Sequence, residues 1–262
     1  MPRFAANLTM LFTERAFVDR FGAAAAAGFE GVEFLFPYAE AADVLRERLD
    51  AAGLALALFN VPPGDWAAGE RGFAALPGEE ARFEQSFAQA LDYARVLRPG
   101  RLHVMAGLAT GPAARATYVA NLRRAAAAAP DLVLTIEPLN ARDMPGYHLG
   151  CSDEALRVIE AVGAENLKLQ FDLYHTQISE GDLTRRIEAL APVIGHVQIA
   201  GVPDRQEPDR GELALGHLMD VLDSVGYEGW VGCEYRPSGR TEDGLGWFAP
   251  WRRGGIVGGG DE

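Results

Sequence analysis

Four short apolar runs in this chain each end on a residue able to hold a hard metal ion or carry a proton: Glu137 in LVLTIEPLN, Asp172 in LKLQFDLYH, Gln198 in GHVQIAG and Glu234 in GWVGCEYRP. The intervals between them are 35, 26 and 36 residues, close to the roughly 30 residues of one strand-plus-helix unit in an eightfold parallel barrel. A single acidic residue in such a place is an ordinary helix cap or a solvated loop group. Four in register point instead to one shared site at the end of a barrel.

The rest of the chain keeps the same rhythm. Strand-like stretches fall at Phe4–Met10, Gly31–Phe36, Ala55–Val61, Arg101–Gly107, Leu132–Pro138, Leu167–Asp172, Ile194–Ala200 and Trp230–Tyr235. Between them lie Ala-, Leu-, Glu- and Arg-rich stretches with helical spacing, such as Glu79–Leu97, Ala113–Ala129 and Ser152–Val162. Alternating strand and helix predicts a parallel sheet covered by helices, so the expected fold is a single α/β (β/α)8 TIM barrel over residues 1–251. The Gly-rich segment 252–262 carries too little apolar surface to order itself and is expected to be a flexible tail.

Charge and cysteine usage narrow the function. The formal net charge is −13, with no basic stripe, which disfavours nucleic acid and anionic membrane as partners. No run approaches the length of a membrane span, and the first residues mix charge into their apolar positions too early for a secretion signal. Two cysteines, Cys151 and Cys233, are too few for a disulfide framework, so a reducing cytoplasm is the expected compartment. A homo-oligomer is left open.

Counting back by twos along each strand places Thr135 and Val133, Gln170 and Lys168, His196 and Ile194, and Gly232 and Trp230 inside the barrel with the four strand-end residues. Cys233 then faces outward, under the helices. Polar groups inside need polar partners, although a reversed register would leave Lys168 outside. Three carboxylates and an amide oxygen, from Glu137, Asp172, Glu234 and Gln198, suit Mg²⁺ or Mn²⁺. Glu137 and Glu234 can flank a small substrate, one removing a carbon-bound proton and the other returning one, which reads as isomerisation or epimerisation of a sugar-like molecule. His175 follows Asp172 closely enough to reach a substrate hydroxyl. The long segment Pro62–Gly78 is a candidate lid, with Trp66 to exclude water and Arg71 to pair with an anionic substrate. Arg205 is a second candidate for that pairing, and Lys168 a third.

The segments FAANLTMLF, GVEFLFPY, GDWAAGERG, IEPLN, GYHL, QFDLYHTQ, GHVQIAG and GYEGWVGCEY resemble those of the hydroxypyruvate isomerase family, within the xylose-isomerase-like barrel superfamily. That resemblance implies reversible conversion of hydroxypyruvate to tartronate semialdehyde, a small keto-acid or sugar-acid substrate, and a place in glyoxylate or sugar-acid metabolism. It implies Glu137 and Glu234 as the proton-transfer pair, with Glu137, Asp172, Gln198 and Glu234 around a divalent metal. Related sugar epimerases carry His where Gln198 stands, a departure that favours hard ions. Alternatives within the superfamily are a 2-oxo-tetronate isomerase and a ketose 3-epimerase. A DNA-repair endonuclease of the same fold would need a His-rich multi-metal cluster and a basic face, which five histidines and the acidic balance do not supply. A sugar-acid binding protein is the non-enzymatic alternative, and it would not require two opposed glutamates.

Overall fold

In the computed structural model, which describes residues 2–252, the eight apolar runs become eight parallel strands: β1 (Arg3–Asn7), β2 (Gly31–Phe34), β3 (Ala55–Asn60), β4 (Arg101–His103), β5 (Val133–Ile136), β6 (Leu167–Asp172), β7 (Ile194–Ile199) and β8 (Trp230–Cys233). They close in chain order, β8 pairing with β1. Several are shorter than their apolar runs. β5 and β8 stop one residue before Glu137 and Glu234, because the barrel ladder ends there and the chain turns outward into its loop.

Helices α1 (Arg20–Ala26), α2 (Ala42–Ala52), α3 (Glu80–Leu97), α4 (Gly111–Ala128), α5 (Ser152–Val162), α6 (Leu173–Ser179), α7 (Leu183–Leu190) and α8 (Leu215–Ser224) surround the strands. The sequence explains several of them locally. α3 buries Phe83, Phe87, Ala90 and Leu97, a 3.6-residue periodicity that faces one stripe inward. α2 and α5 stop at Gly53 and Gly163, whose φ of 64° and 70° a Cβ would oppose. α4 begins two residues earlier than its pattern predicts because Pro112 fits the first turn, where no N–H is needed.

The main apolar core lies between the barrel wall and the helices, and outward-facing Cys233 is buried in it. Inside the barrel the packing is different. At the N-terminal end Trp230 meets Ala5 and Ala57, its ring filling the place a Cβ on Gly31 would need, with the Arg3 guanidinium 4.5 Å from the ring centre. Above this plug the interior is polar: Asn7, Glu33, His103, Thr135, Gln170, His196 and Gln198 are all essentially inaccessible. Register shifts opposite Val32/Glu33 and Leu169/Gln170 leave one extra residue in each neighbouring strand, Ala57 in β3 and Gly195 in β7.

After β8 a 3₁₀ segment, Glu242–Trp251, returns to the start of the chain. Phe4 packs against Trp247, Phe248 and Trp251 at 5.4–5.6 Å, and Phe29 stacks on Phe248 at 4.4 Å. Of the expected tail, residues 253–262 lie outside the described residues.

Candidate active site

The C-terminal ends of the strands open into a cavity of about 540 Å³, whose lining includes Glu137, Glu234, Arg205, His175, Trp66 and Arg71. Asp172 sits just behind it. As the last residue of β6 it also caps α6, Oδ1 accepting from the backbone N–H of Tyr174 at 2.7 Å and of His175 at 3.4 Å. Oδ2 has no hydrogen-bond partner and lies 3.8 Å from Arg205. Glu137 also keeps an unpartnered buried oxygen, Oε1, while Oε2 is 3.7 Å from His103 Nδ1.

Glu234 is held differently. Arg205 donates to its Oε1 at 2.6 Å, and Asn7 at 3.3 Å and Gln198 both donate to Oε2. Burial raises the carboxyl pKa of both glutamates. Glu137 goes well above the carboxylate range because burial is reinforced by Glu234 and Asp172, and burial raises Glu234 to about 8 against the opposing charge of Arg205. Arg205 itself is favoured as a cation: burial works to neutralise it, but Glu234, Asp172 and Glu137 outweigh that. Its guanidinium also lies 4.9 Å from the Tyr174 ring centre, and its backbone has φ 55°, a strained conformation for a non-glycine residue, of the kind found at functional sites.

His175 is a donor. Its Nδ1 accepts from the backbone N–H of Asn140 at 3.1 Å, so the ring proton of the neutral form is on Nε2. Burial lowers its pKa to about 4, and that of His103 to about 3. Nε2 of His175 lies 3.8 Å from Asp172 Oδ2. Ligand atoms of Glu137, Asp172 and His175 fall within 4.8 Å of one another. The Asn140 bond argues against His175 as the third ligand, and two unpartnered buried carboxylate oxygens are the donors that fit a hard divalent cation.

Gln198 departs from its expected role as an oxygen ligand. Its Oε1 accepts from Gln170 Nε2 at 2.7 Å, and its Nε2 faces Glu33 and Glu234. The group turned toward the carboxylates is therefore a donor, which cannot bind a cation in this orientation. Both oxygens of Glu234 are likewise engaged. Lys168 is not brought to the cavity. It lies one strand-length below Asp172, beside Gly195 and Thr135. In the Pro62–Gly78 segment, Arg71 lies 3.8 Å from the Trp66 ring centre and donates to the carbonyls of Trp66 and Glu70, while Trp66 packs on Phe36 at 5.4 Å.

A profile of the xylose isomerase-like TIM barrel family matches residues 21–251. The chain belongs to that family. It is 57% identical to the 2-oxo-tetronate isomerase of Cupriavidus necator, over 96% of this chain and 99% of that one. It is 46% identical to the hydroxypyruvate isomerase of Escherichia coli, over 96% and 100% respectively. A crystal structure titled AP endonuclease, family 2, from Brucella melitensis superposes with a TM-score of 0.94 at 52% identity, covering 96% of this chain and 100% of that one.

Within this family barrel, several residues not singled out from the sequence prove central. Glu33, Asn7 and His103 lie in strands β2, β1 and β4, and the same counting by twos applied to those strands would have turned them inward. Arg142, Asp143 and Arg236 line the cavity from loops. No strand period reaches those three.

Proposed function

We propose that the protein is an isomerase that interconverts hydroxypyruvate and tartronate semialdehyde by moving one carbon-bound proton between neighbouring carbons. The observation that carries this reading is the pair Glu137 and Glu234, two buried carboxyls lining one cavity, both with raised proton affinity. Raised affinity matches a carboxylate to proton transfer near neutrality. The reaction requires one member of the pair ionised and the other protonated. The ionised member takes a proton from C3, the C–H electron pair becomes the C2–C3 double bond, and negative charge moves onto the C2 oxygen. The other member then delivers its proton to C2, while the C3 hydroxyl proton passes to the C2 oxygen, leaving an aldehyde at C3 and a hydroxyl at C2.

His175 Nε2–H, neutral because of burial, is placed to donate to a substrate oxygen. Glu137 and Asp172, through their unpartnered oxygens, would hold Mg²⁺ or Mn²⁺. When bound, that ion supplies polarisation of the carbonyl and stabilisation of enediolate charge. Arg71 on the Pro62–Gly78 loop, together with Arg142 and Arg236, surrounds the cavity with the cations a substrate carboxylate needs. The acidic balance, net −13, argues against a nucleic acid substrate.

The four-carbon reading, conversion of a 2-oxo-tetronate to the 3-oxo isomer, uses the same proton shift. It is favoured by the 57% identity to an isomerase of that name. Turnover of both acids by one preparation, followed by NMR in ²H₂O, tests the proposal. Isomerisation of either acid, with deuterium entering at carbon, supports the proton shift, and the faster acid identifies the substrate. Binding without exchange would instead leave a sugar-acid binding protein.

A further inference from the structure

Directly beneath Glu234 lies a second buried carboxylate that touches no part of the cavity. Glu33, at the C-terminal end of β2, is fully buried. Its Oε1 accepts from Asn7 Nδ2 at 3.0 Å and Gln198 Nε2 at 2.8 Å, and its Oε2 lies 2.7 Å from His196 Nε2. The same two amide nitrogens also donate to Glu234 Oε2. Two NH₂ groups, each with two hydrogens, thus bridge two carboxylates.

This arrangement has only one workable sense. Were the Gln198 amide flipped, its oxygen would face acceptor oxygens of both Glu33 and Glu234, and its nitrogen would face Gln170 Nε2. The chain behind it agrees, since Thr135 Oγ1 donates to Gln170 Oε1 at 2.9 Å, leaving Gln170 Nε2 to donate to Gln198 Oε1. The barrel also makes room for the bridge. Gly232 faces inward on β8, and a Cβ there would collide with the Glu33 carboxylate.

We propose that Glu33 is a positioning residue for the reaction: by accepting from Asn7 and Gln198 it fixes both amides as donors to Glu234, and so holds the carboxylate of Glu234 in its working orientation. The inference rests on the isomerase reading for its kinetic consequence and on the hydrogen-bond geometry for its structural one. The acceptor, rather than the volume of the side chain, is what matters.

Glu33→Gln and Glu33→Met separate these. In Glu33→Gln the introduced amide can still accept from Asn7 and Gln198 through its oxygen, while its NH₂ donates to His196 with that ring's proton moved to Nδ1, which has no partner. This variant should keep kcat within about threefold, whereas Glu33→Met should lower kcat on the order of 10-fold or more with KM nearly unchanged. Asn7→Ala, which removes one bridge, should lower kcat several-fold and serves if Glu33→Met does not fold. Independently of turnover, the side-chain NH₂ signals of Asn7 and Gln198 in ¹H–¹⁵N spectra should exchange slowly in the wild type and in Glu33→Gln, and rapidly or with shifted positions in the Met variant. A folded Glu33→Met with kcat within twofold of wild type, an equal loss in Glu33→Gln, or normal kcat in Asn7→Ala would each overturn the proposal. A wild type lacking isomerase activity but showing the protected amide signals, lost in Glu33→Met, would refute the functional reading and leave the bridge standing.

Discussion

Arg205 balances the charge of the site. Three buried carboxylates, Glu137, Asp172 and Glu234, converge there, and Arg205 is ion-paired with Glu234 at 2.6 Å and lies 3.8 Å from Asp172. Removing it leaves Glu234 buried and unpaired. Arg205→Met should therefore lower kcat/KM on the order of 10²-fold for any substrate. Arg71→Ala should instead raise KM for the acid substrate about 10-fold while barely affecting a neutral ketose. Side-by-side kinetics with both substrates checks this, and equal effects of Arg71→Ala on both would remove it from carboxylate recognition. Glu137→Gln and Glu234→Gln should each cost on the order of 10²–10⁴ in rate, with near-normal turnover in either folded variant refuting the paired-glutamate mechanism.

The same carboxyls give stability a pH dependence in the metal-free protein. Glu234 titrates near 8 when folded against 4.5 for a free carboxyl, and Glu137 is raised well above that free value too. Between those values the folded state holds more protons than the unfolded one, so stability falls as pH rises. His103 and His175, depressed to about 3 and 4 from 6.5, act in the opposite sense, but only below about 6.5. Urea unfolding of chelator-treated protein should therefore show declining stability from pH 6.5 to 8, flattened in Glu234→Gln. An upward slope in that window would contradict the assignment.

At the scale of elements, the long segment after β3 is a folded structure braced by its own turns. Gly72 N–H donates to Pro63 O, Ala75 N–H to Ala106 O, and Arg82 pairs with Glu70 at 2.8 Å. One close backbone approach is at Gly72, with φ 100° and no room for a Cβ against the Met105 backbone. Gly72→Ala combines backbone strain with a clash, each on the order of 1–3 kcal/mol, and should lower Tm by about 5 °C or more. Scanning calorimetry measures this, and an unchanged Tm would show that the segment yields freely, as a mobile lid would. The loop's length was legible in the sequence, but its internal bracing depends on β4 and α3, which the sequence does not place beside it.

For the molecule as a whole, the barrel gathers acidic groups that a divalent cation would relieve. Mg²⁺ or Mn²⁺ added to chelator-treated protein should raise Tm by mass action on the folded state and support activity better than Zn²⁺, since the unpartnered ligand atoms are oxygens. Thermal melts with each ion, alongside the Asp172→Asn variant, check this. A metal-independent Tm together with full metal-free activity would remove the cation from the mechanism.

Strand number, strand order and the common end for Glu137, Asp172 and Glu234 were legible in the residues alone, because hydrophobic period and βα spacing are local properties that barrel closure preserves. What only the tertiary structure decided is which polar groups meet and in which sense. Gln198 points its nitrogen at Glu234 because Glu33, 165 residues away, lies beneath it. His175 is a donor because the Asn140 N–H claims its other nitrogen. Lys168 shares the inner side of its strand with Asp172 yet lies below the cavity, since depth along a strand separates what alternation groups together. Hydrogen-bond sense depends on partners brought in by closure, and no period in one strand encodes the partner across the barrel.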